Sequence, residues 1–408
     1  LALFRIADAM EARADEIVAA EIQNTGKPLW WMRDAEFPQC VDHTRFHATM
    51  ARNLPGWSTG EFLSGYDSTV RREPVGVCAQ VAPWNYPLLM AVWKFAPALA
   101  MGNTIVLKPS DTTPHTASIM AEIFAEHLPA GVANIIYGDR DTGRAMVAHK
   151  RPDLVSITGS VRAGMEIAAS AAPDLKRVHL ELGGKAANIV FDDAPVDEAV
   201  EGIVNGIFFN QGHVCCAGSR LILQESIAEE IIEKLKVRMA KIRVGDPLDK
   251  NTDLGAINSR EQLTKIQELA AIGDAEGAQR WSPQCNLSDK GYWFAPTIFT
   301  GVTQAHRIAQ EEIFGPVLSV LTFRTPQEGI DKANNTPFGL SAGIWSEKGS
   351  RTLWASQQLR AGVIWANTFN KFDPTSPFGG YKESGWGREG GKHGLAAYLK
   401  TGRESGGK

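Results

Sequence analysis

The chain has 408 residues, 44% hydrophobic and 22% charged, with a formal charge of -4. That length suggests two or three domains at roughly 150 residues each, and the composition is that of a soluble globular protein that buries its core without disulfides or metals. The charge balance gives no sign of a nucleic-acid or membrane partner, and no apolar run reaches the roughly 18 residues of a spanning helix.

Leu3, Ile6, Ala7, Met10, Ala14 and Ile17 recur at helical spacing. The chain therefore opens at Leu1 inside a helix, and further residues are expected before it. Residues 1–52 predict two or three helices, broken near Gly26-Lys27-Pro28 and Phe37-Pro38. Residues 53–74 predict a strand or two. The apolar run 75–82 reads as a buried strand, and Pro83-Trp84-Asn85-Tyr86-Pro87 as a turn. Asn85 is expected to cap the next helix, which Pro97 should kink or end. Strands are then expected at 104–107, 134–137, 154–158 and 178–182. Helices are expected after Pro114, at 142–148 and at 163–172. This alternation argues a parallel sheet covered on both faces, with ligands bound where strands end. A second alternation runs from about 187 to 368. It has strands at 188–191, 318–323, 342–345 and 363–365, and helices after Val196 and Ile227. Gly183-Gly184-Lys185 marks the expected boundary, and the Gly- and Ser-containing tail from Lys400 is expected to be mobile.

The five cysteines, Cys40, Cys78, Cys215, Cys216 and Cys285, are few and unpatterned. They fit a reducing, cytoplasmic setting better than a disulfide framework, and no CxxC or HExxH spacing suggests a metal. Taken alone, Cys215 reads as a small buried hydrophobe. Its surroundings alter that reading, because polar Asn210-Gln211-Gly212 interrupts an apolar helix just before it. The backbone N–H groups of such an end would favour a thiolate and could hold an oxyanion. Cys216 reads as packing. Glu181 interrupts an apolar strand just before two glycines, which suits a general base as well as a solvated strand edge. Thr158-Gly159-Ser160-Val161-Arg162-Ala163-Gly164 follows a strand and opens a helix, so its small residues could let a pyrophosphate approach. Lys108-Pro109-Ser110-Asp111 follows another strand and could meet ribose hydroxyls or be a solvated loop.

Together these segments resemble the aldehyde dehydrogenase superfamily. The motifs that carry the likeness are Pro83-Trp84-Asn85, Lys108-Pro109-Ser110, Thr158-Gly159-Ser160, Glu181-Leu182-Gly183-Gly184-Lys185 and Asn210-Gln211-Gly212 followed by Cys215. Glu311-Glu312-Ile313-Phe314-Gly315-Pro316-Val317 and Ser376-Pro377-Phe378-Gly379-Gly380-Tyr381-Lys382 complete the series, in order, along nearly the whole chain. The resemblance implies an α/β fold with two Rossmann-like parallel-sheet domains and a β oligomerisation arm. The NAD-binding domain would take 1–52 and 75–184, the catalytic domain 185–370, and the arm with the C-terminal segment 53–74 and 371–408. A homodimer or homotetramer is implied.

The resemblance also implies roles. Cys215 would attack an aldehyde, with the Asn85 amide and the Cys215 N–H holding the oxyanion, and Glu181 would activate the hydrolytic water. Lys94 and Glu389 would form a proton path. Pro83, Trp84, Lys108, Ser110, Asp111, Gly159, Ser160, Gly164, Leu182, Glu312 and Phe314 would bind NAD. Asp111, often Glu in the family, should repel a 2′-phosphate and so favours NAD over NADP. Tyr86, Trp93, Phe209, Val214, Phe372 and Phe378 would line a substrate tunnel suited to an apolar aldehyde or, through cation–π contacts, to a cationic one. The general look leans to the betaine- and aminobutyraldehyde-type branch, without a carboxylate anchor to decide. Residues 400–408 depart from the family's closing strand. The alternatives are a CoA-acylating enzyme, whose relatives usually lack the glutamate, and a structural homologue without catalysis.

Overall fold

The computed structural model describes residues 1–54 and 59–401 and is organised by two separate sheets. The first has five parallel strands, in the spatial order Ala133–Ile135, Thr104–Lys108, Val77–Val81, Leu154–Thr158 and Arg177–Glu181. From Val77–Val81 the chain builds one flank, then returns to build the other. Strand order thus reverses between Val77–Val81 and Leu154–Thr158. The loops at the carboxyl ends diverge there and leave a crevice. Helices Pro87–Ala100, His115–His127, Arg140–Ala148 and Val161–Ala171 alternate with these strands and pack on them.

The second sheet has seven strands, in the order Gln279–Trp281, Thr297–Thr300, Val317–Phe323, Arg220–Gln224, Ala187–Val190, Ser341–Trp345 and Val363–Ala366. Only the first pair is antiparallel. Its central strand Arg220–Gln224 was not expected, because a charged residue heads the short apolar run Leu221-Ile222-Leu223. All three of those side chains are fully buried. Small antiparallel pairs complete the fold: Thr59–Leu63 with Tyr66–Thr69, Phe338–Gly339 with Tyr381–Lys382, and Arg72–Pro74 with Leu399–Thr401. Lys400 pairs with Glu73, so the ladder holds the chain to Thr401 and corrects the expectation of mobility from Lys400. The rest of that tail, 402–408, lies outside the described residues, as does 55–58.

At the N-terminus, Ala14–Thr25 ends at Gly26 in a left-handed conformation (φ 73), as the Gly-Lys-Pro signal predicts. The expected break at Phe37-Pro38 is instead a change of pitch. A π-helical turn, Met32–Glu36, runs without a break into the helix Phe37–Met50; Phe37 N–H bonds back to Met32 O, and Pro38, which has no N–H, stands just after this widened turn. Two further expectations are corrected. Pro97 does not stop its helix, which continues to Ala100; the proline sits one turn from the end, in a segment buried almost throughout. Asn85 does not cap that helix: Tyr86 occupies the cap position, and the Asn85 amide is committed elsewhere. No helix among the described residues is long and apolar enough to cross a membrane.

Arg220 is 2% exposed and donates to three carbonyls, Lys185 O at 2.9 Å, Lys332 O at 3.0 Å and Ala333 O at 2.7 Å. Burial lowers its pKa to about 10. Replacing it with methionine leaves three buried carbonyls unsatisfied. Arg220→Met is expected to destabilise the fold by about 3 kcal/mol, seen as a melting temperature several degrees lower. A lysine there should rescue little, since it lacks the planar fork.

Candidate active site

A cavity of about 200 Å³ opens where the carboxyl edge of the five-stranded sheet meets loops of the seven-stranded one. Cys215 reaches it through an unusual turn. Asn210 (φ 46), Gln211 (φ 55) and Gly212 (φ 71) are consecutive left-handed residues. Side-chain bonds hold them in place: Asn210 Nδ2 donates to Asn85 O at 3.0 Å, and Gln211 accepts from Gly255 N at 3.2 Å. A Cβ on Gly212 would lie 2.2 Å from Gly315 O, so only glycine fits. The Asn85 amide donates to His213 O at 2.9 Å, which fixes it beside the cysteine loop. Cys215 is partly exposed; Cys216 is buried, and its thiol donates to Asn370 Oδ1 at 3.4 Å. The thiol of Cys215 is held well above its ordinary pKa by a hydrogen bond with Cys216, then by burial and by Glu312. A backbone hydrogen bond at Cys216 acts in the opposite sense and favours the thiolate, but the neighbouring groups outweigh it.

Glu181 ends the strand Arg177–Glu181, is 4% exposed and lines the same cavity. Neither of its carboxylate oxygens has a hydrogen-bond partner among the described residues. Burial raises its pKa well above the usual range, Glu389 and Cys215 add to this, and Lys94 opposes it. Lys94 and Glu389 do not line the cavity but form a fully buried pair, Nζ to Oε1 3.2 Å. Lys94 also donates to Ser156 Oγ at 3.1 Å. The backbone of Glu389 exchanges two hydrogen bonds with Phe378, at 2.8 and 2.7 Å, so the buried pair is tied to the cavity wall. His179, which the sequence reading missed, stands 3.2 Å from Ser156 and 3.7 Å from Glu389. Its only signal was a polar residue inside a buried strand.

One half of the cavity follows the strand reversal. Pro83, Trp84, Gly159, Ser160, Leu182, Glu312 and Phe314 line it, with Gln262 and Lys265, which had no sequence signal. Ser160 caps the helix Val161–Ala171 through Ala163 N at 3.3 Å. Gly164 stands behind, where a Cβ would strike Leu182 at 2.5 Å. Glu312 accepts from Gly184 N at 2.9 Å, and the Trp84 ring meets Phe314 edge-on at 5.2 Å. Lys108, Ser110 and Asp111 lie outside the cavity, at the end of the neighbouring strand. Lys108 is 6% exposed and donates to Pro109 O at 3.1 Å, while Ser110 donates to Asp111 on an exposed turn. A capped helix start, small residues at the strand ends and a nearly buried ammonium bonded only to a carbonyl, among the described residues, fit a dinucleotide along this edge.

The other half is aromatic. Trp93, Phe372 and Phe378 form one wall, with ring centroids 5.4 to 6.1 Å apart. Tyr86, Phe209 and Val214 continue it. Trp31, Leu89 and Met90 join them, as do the polar Glu36, Gln39 and Asn370, none of which the sequence reading singled out. Gly212→Ala is expected to displace the cysteine loop. A melting temperature lowered by roughly 1–3 kcal/mol of strain, together with lost Cys215 reactivity, would show it; a fully native variant would refute the packing argument.

Residues 1–402 match the model of the aldehyde dehydrogenase family. DhaS of Bacillus subtilis (strain 168), named as an aldehyde dehydrogenase, is 40% identical over 401 residues, covering 98% of this chain and 81% of DhaS. The crystal structure of an NAD-dependent aldehyde dehydrogenase from Sinorhizobium meliloti superposes with a TM-score of 0.96 at 39% identity, covering 98% of this chain and 80% of that one. A betaine aldehyde dehydrogenase from Staphylococcus aureus, solved with NAD+, gives 0.95 at 38% identity with the same coverage. The chain belongs to the aldehyde dehydrogenase family.

Proposed function

We propose that this enzyme oxidises an aldehyde to its carboxylic acid with NAD+, through a covalent intermediate on Cys215 that water releases. The observation that carries this reading is the meeting of Cys215, Asn85 and Glu181 in one cavity from three distant segments. The capped helix start beside Gly159 and Ser160 would hold the pyrophosphate, and Glu312 and Phe314 the nicotinamide end. Lys108 and Asp111 would hold the adenosine ribose, with the Asp111 carboxylate opposing a 2′-phosphate. Hydride acceptance is the chemistry that the bound dinucleotide supplies.

The protein's own groups do the rest. Glu181 takes the Cys215 thiol proton as Sγ adds to the aldehyde carbon, giving a thiohemiacetal. The second N–H of the Asn85 amide and the Cys215 backbone N–H take the oxyanion. Hydride loss leaves a thioester on Cys215. Glu181, returned to its ionised form by way of the Lys94–Glu389 pair, removes a proton from water; hydroxide adds to the thioester and the acid leaves. The unpartnered carboxylate of Glu181 favours water over CoA as the acyl acceptor.

Residues 1–52 and 75–184 would form the cofactor unit, 185–370 the catalytic unit, and 53–74 with 371–408 an arm. The exposed Leu63 and Tyr66 of the Thr59–Thr69 hairpin (67% and 68%) suit a homodimer or homotetramer contact.

Cys215→Ala should reduce NADH formation to below about one-thousandth of the parent rate with every aldehyde accepted. Parent-level activity would refute the mechanism. Glu181→Gln should slow the first turnover at each site and lower the steady-state rate by about 100-fold, because Glu181 takes the proton in both half-reactions. Because burial raises the Glu181 pKa, the base is depleted at low pH. The parent's kcat should therefore rise with pH through a value above the ordinary carboxylate range, and the variant should lose that limb. A parent profile flat from pH 5 upward would contradict the assignment. Acyl-CoA formation on adding CoA would revive the acylating alternative.

A further inference from the structure

Behind the aromatic wall lies a second cavity, of about 30 Å³, which the mechanism above does not use. Trp93, Phe372 and Phe378 line both cavities, so the partition is one layer of side chains thick. Glu389 lines the second cavity and not the first. Its Oε1 is held by Lys94, while its Oε2 has no hydrogen-bond partner among the described residues. The other groups around it, Lys94, His179 and Tyr398, are all buried. The cavity also has an open end, where Lys371, Asp373 and Ser376 line it and are exposed. It therefore joins a fully buried carboxylate to the surface, across the wall from Cys215.

Two histidines of the helix Phe37–Met50 stand along the way. His43 lines the cavity, is 3% exposed, and neither of its ring nitrogens has a partner among the described residues. One turn on, His47 Nδ1 donates to His43 O at 2.8 Å, and its Nε2 is likewise unpartnered. The two rings are stacked, with centroids 6.4 Å apart. His47 feels the charge of Glu389, and His43 feels those of His47 and Asp373, so the four groups form a series from the buried pair to the surface. Burial, reinforced by His47 and opposed by Asp373, lowers the His43 pKa to about 3. His43 is thus neutral wherever Glu181, whose pKa is raised, is ionised. A neutral imidazole has one donor and one acceptor, so it can take a proton at one nitrogen while giving one up at the other. A polar cavity of this size has room for water, which the bare Glu389 oxygen and the ring nitrogens would hold.

We propose that this cavity is the proton exit of the active site, and that His43 relays the proton between Glu389 and the surface. The inference rests on the function proposed above and begins where that mechanism stops, with the proton on Glu389. The O–H bond at Glu389 Oε2 breaks as cavity water takes the proton. That water passes a proton to the facing nitrogen of His43, and the opposite nitrogen releases its own toward Asp373 and bulk solvent. Glu389 is left as a carboxylate and the ring as its other neutral tautomer, which a half-turn restores. Proton departure then need not share the channel that aldehyde and dinucleotide fill.

Stopped-flow measurement of NADH separates the two halves of the reaction. The first NADH forms once Glu181 has taken the thiol proton, before any proton has to leave; every later one needs the exit. In His43→Phe the first turnover should keep the parent rate and kcat/KM for the aldehyde should be unchanged, while kcat falls about tenfold. His43→Ala should show the same loss, and imidazole in the buffer should relieve most of it, since the shortened side chain leaves room for a replacement relay. A parent-like kcat in either folded variant, a loss that extends equally to the first turnover, or a loss in His43→Ala that imidazole does not relieve overturns the proposal. If neither variant folds, the exposed Asp373→Asn decides: a kcat about threefold lower with an unchanged first turnover is expected, and a parent-like kcat overturns the proposal. Failure of the wider reading looks different, because the parent itself then forms no NADH from any aldehyde, and the exit falls with it.

Discussion

The site depends on one short crossing. Between Glu181, which ends the five-stranded sheet, and Ala187, which begins a strand of the seven-stranded sheet, the chain passes through five buried residues. A buried backbone must find partners inside the protein. Leu182 N donates to Ser384 O, Ser384 Oγ to Gly183 O, Gly184 N to Glu312, and Arg220 to Lys185 O. The crossing is therefore bonded to the C-terminal segment, to the Glu312 loop and to the central strand of the second sheet at once. Its glycines serve this arrangement: a Cβ on Gly184 would lie 2.4 Å from Cys215 O, and one on Gly183 2.4 Å from Glu312 Oε2. Close packing at the crossing brings a strand-end carboxylate, a loop cysteine and a second carboxylate to one cavity.

The same closeness governs the electrostatics. Glu181, Glu36, Glu312 and the Cys215 thiol are all shifted toward their neutral forms, and burial is the first cause for each of the carboxyls. In water these groups would be ordinary carboxylates and an ordinary thiol. Kept dry, they are poised to change protonation when a ligand brings charge or displaces water. Behind the cavity, the buried Lys94–Glu389 pair acts on Glu181 in opposite senses: Glu389 adds to the rise and Lys94 is the counterweight.

Much of this was legible in the sequence, and the limits have physical causes. The parallel strands of the first sheet were found because runs such as Leu154–Thr158 are short and mostly apolar, with only the small polar Ser156 and Thr158 among them, and lie between Pro152 and Gly159. Glu181 stood out because it breaks an apolar strand, and Cys215 because Asn210-Gln211-Gly212 interrupts a helix before it, whereas the role expected of Asn85 came from the family resemblance. Pattern could not report the state of the thiol, which depends on Cys216 and Glu312, the latter almost a hundred residues away in the chain. Nor could it say that the Asn85 amide serves His213 rather than a helix start, since both uses follow the same local sequence. Arg220–Gln224 was missed because its arginine looks solvent-facing; only the three carbonyls around it make burial tolerable.

Glu36 illustrates the hardest case. In sequence it is one acid among several in a helical region, at the opposite end of the chain from the aromatic wall of Phe372 and Phe378. Two steps bring it to the cavity. The π turn inserts extra pitch before Phe37, and the packing of Phe37–Met50 on Pro87–Ala100 carries Tyr86 and Glu36 to the same wall. A widened helical turn is costly to keep and recurs where a side chain must be aimed. Hydrophobic patterning identifies the faces of helices, but the direction of one polar side chain at the end of such a turn is set by contacts from distant segments. Here the contact is Lys27, held by Glu21, which is itself held by the first turn of the helix that presents Tyr86. Glu36 is thus placed on the cavity wall by the N-terminal helices, while Glu181 and Cys215 are placed by the crossing between the sheets.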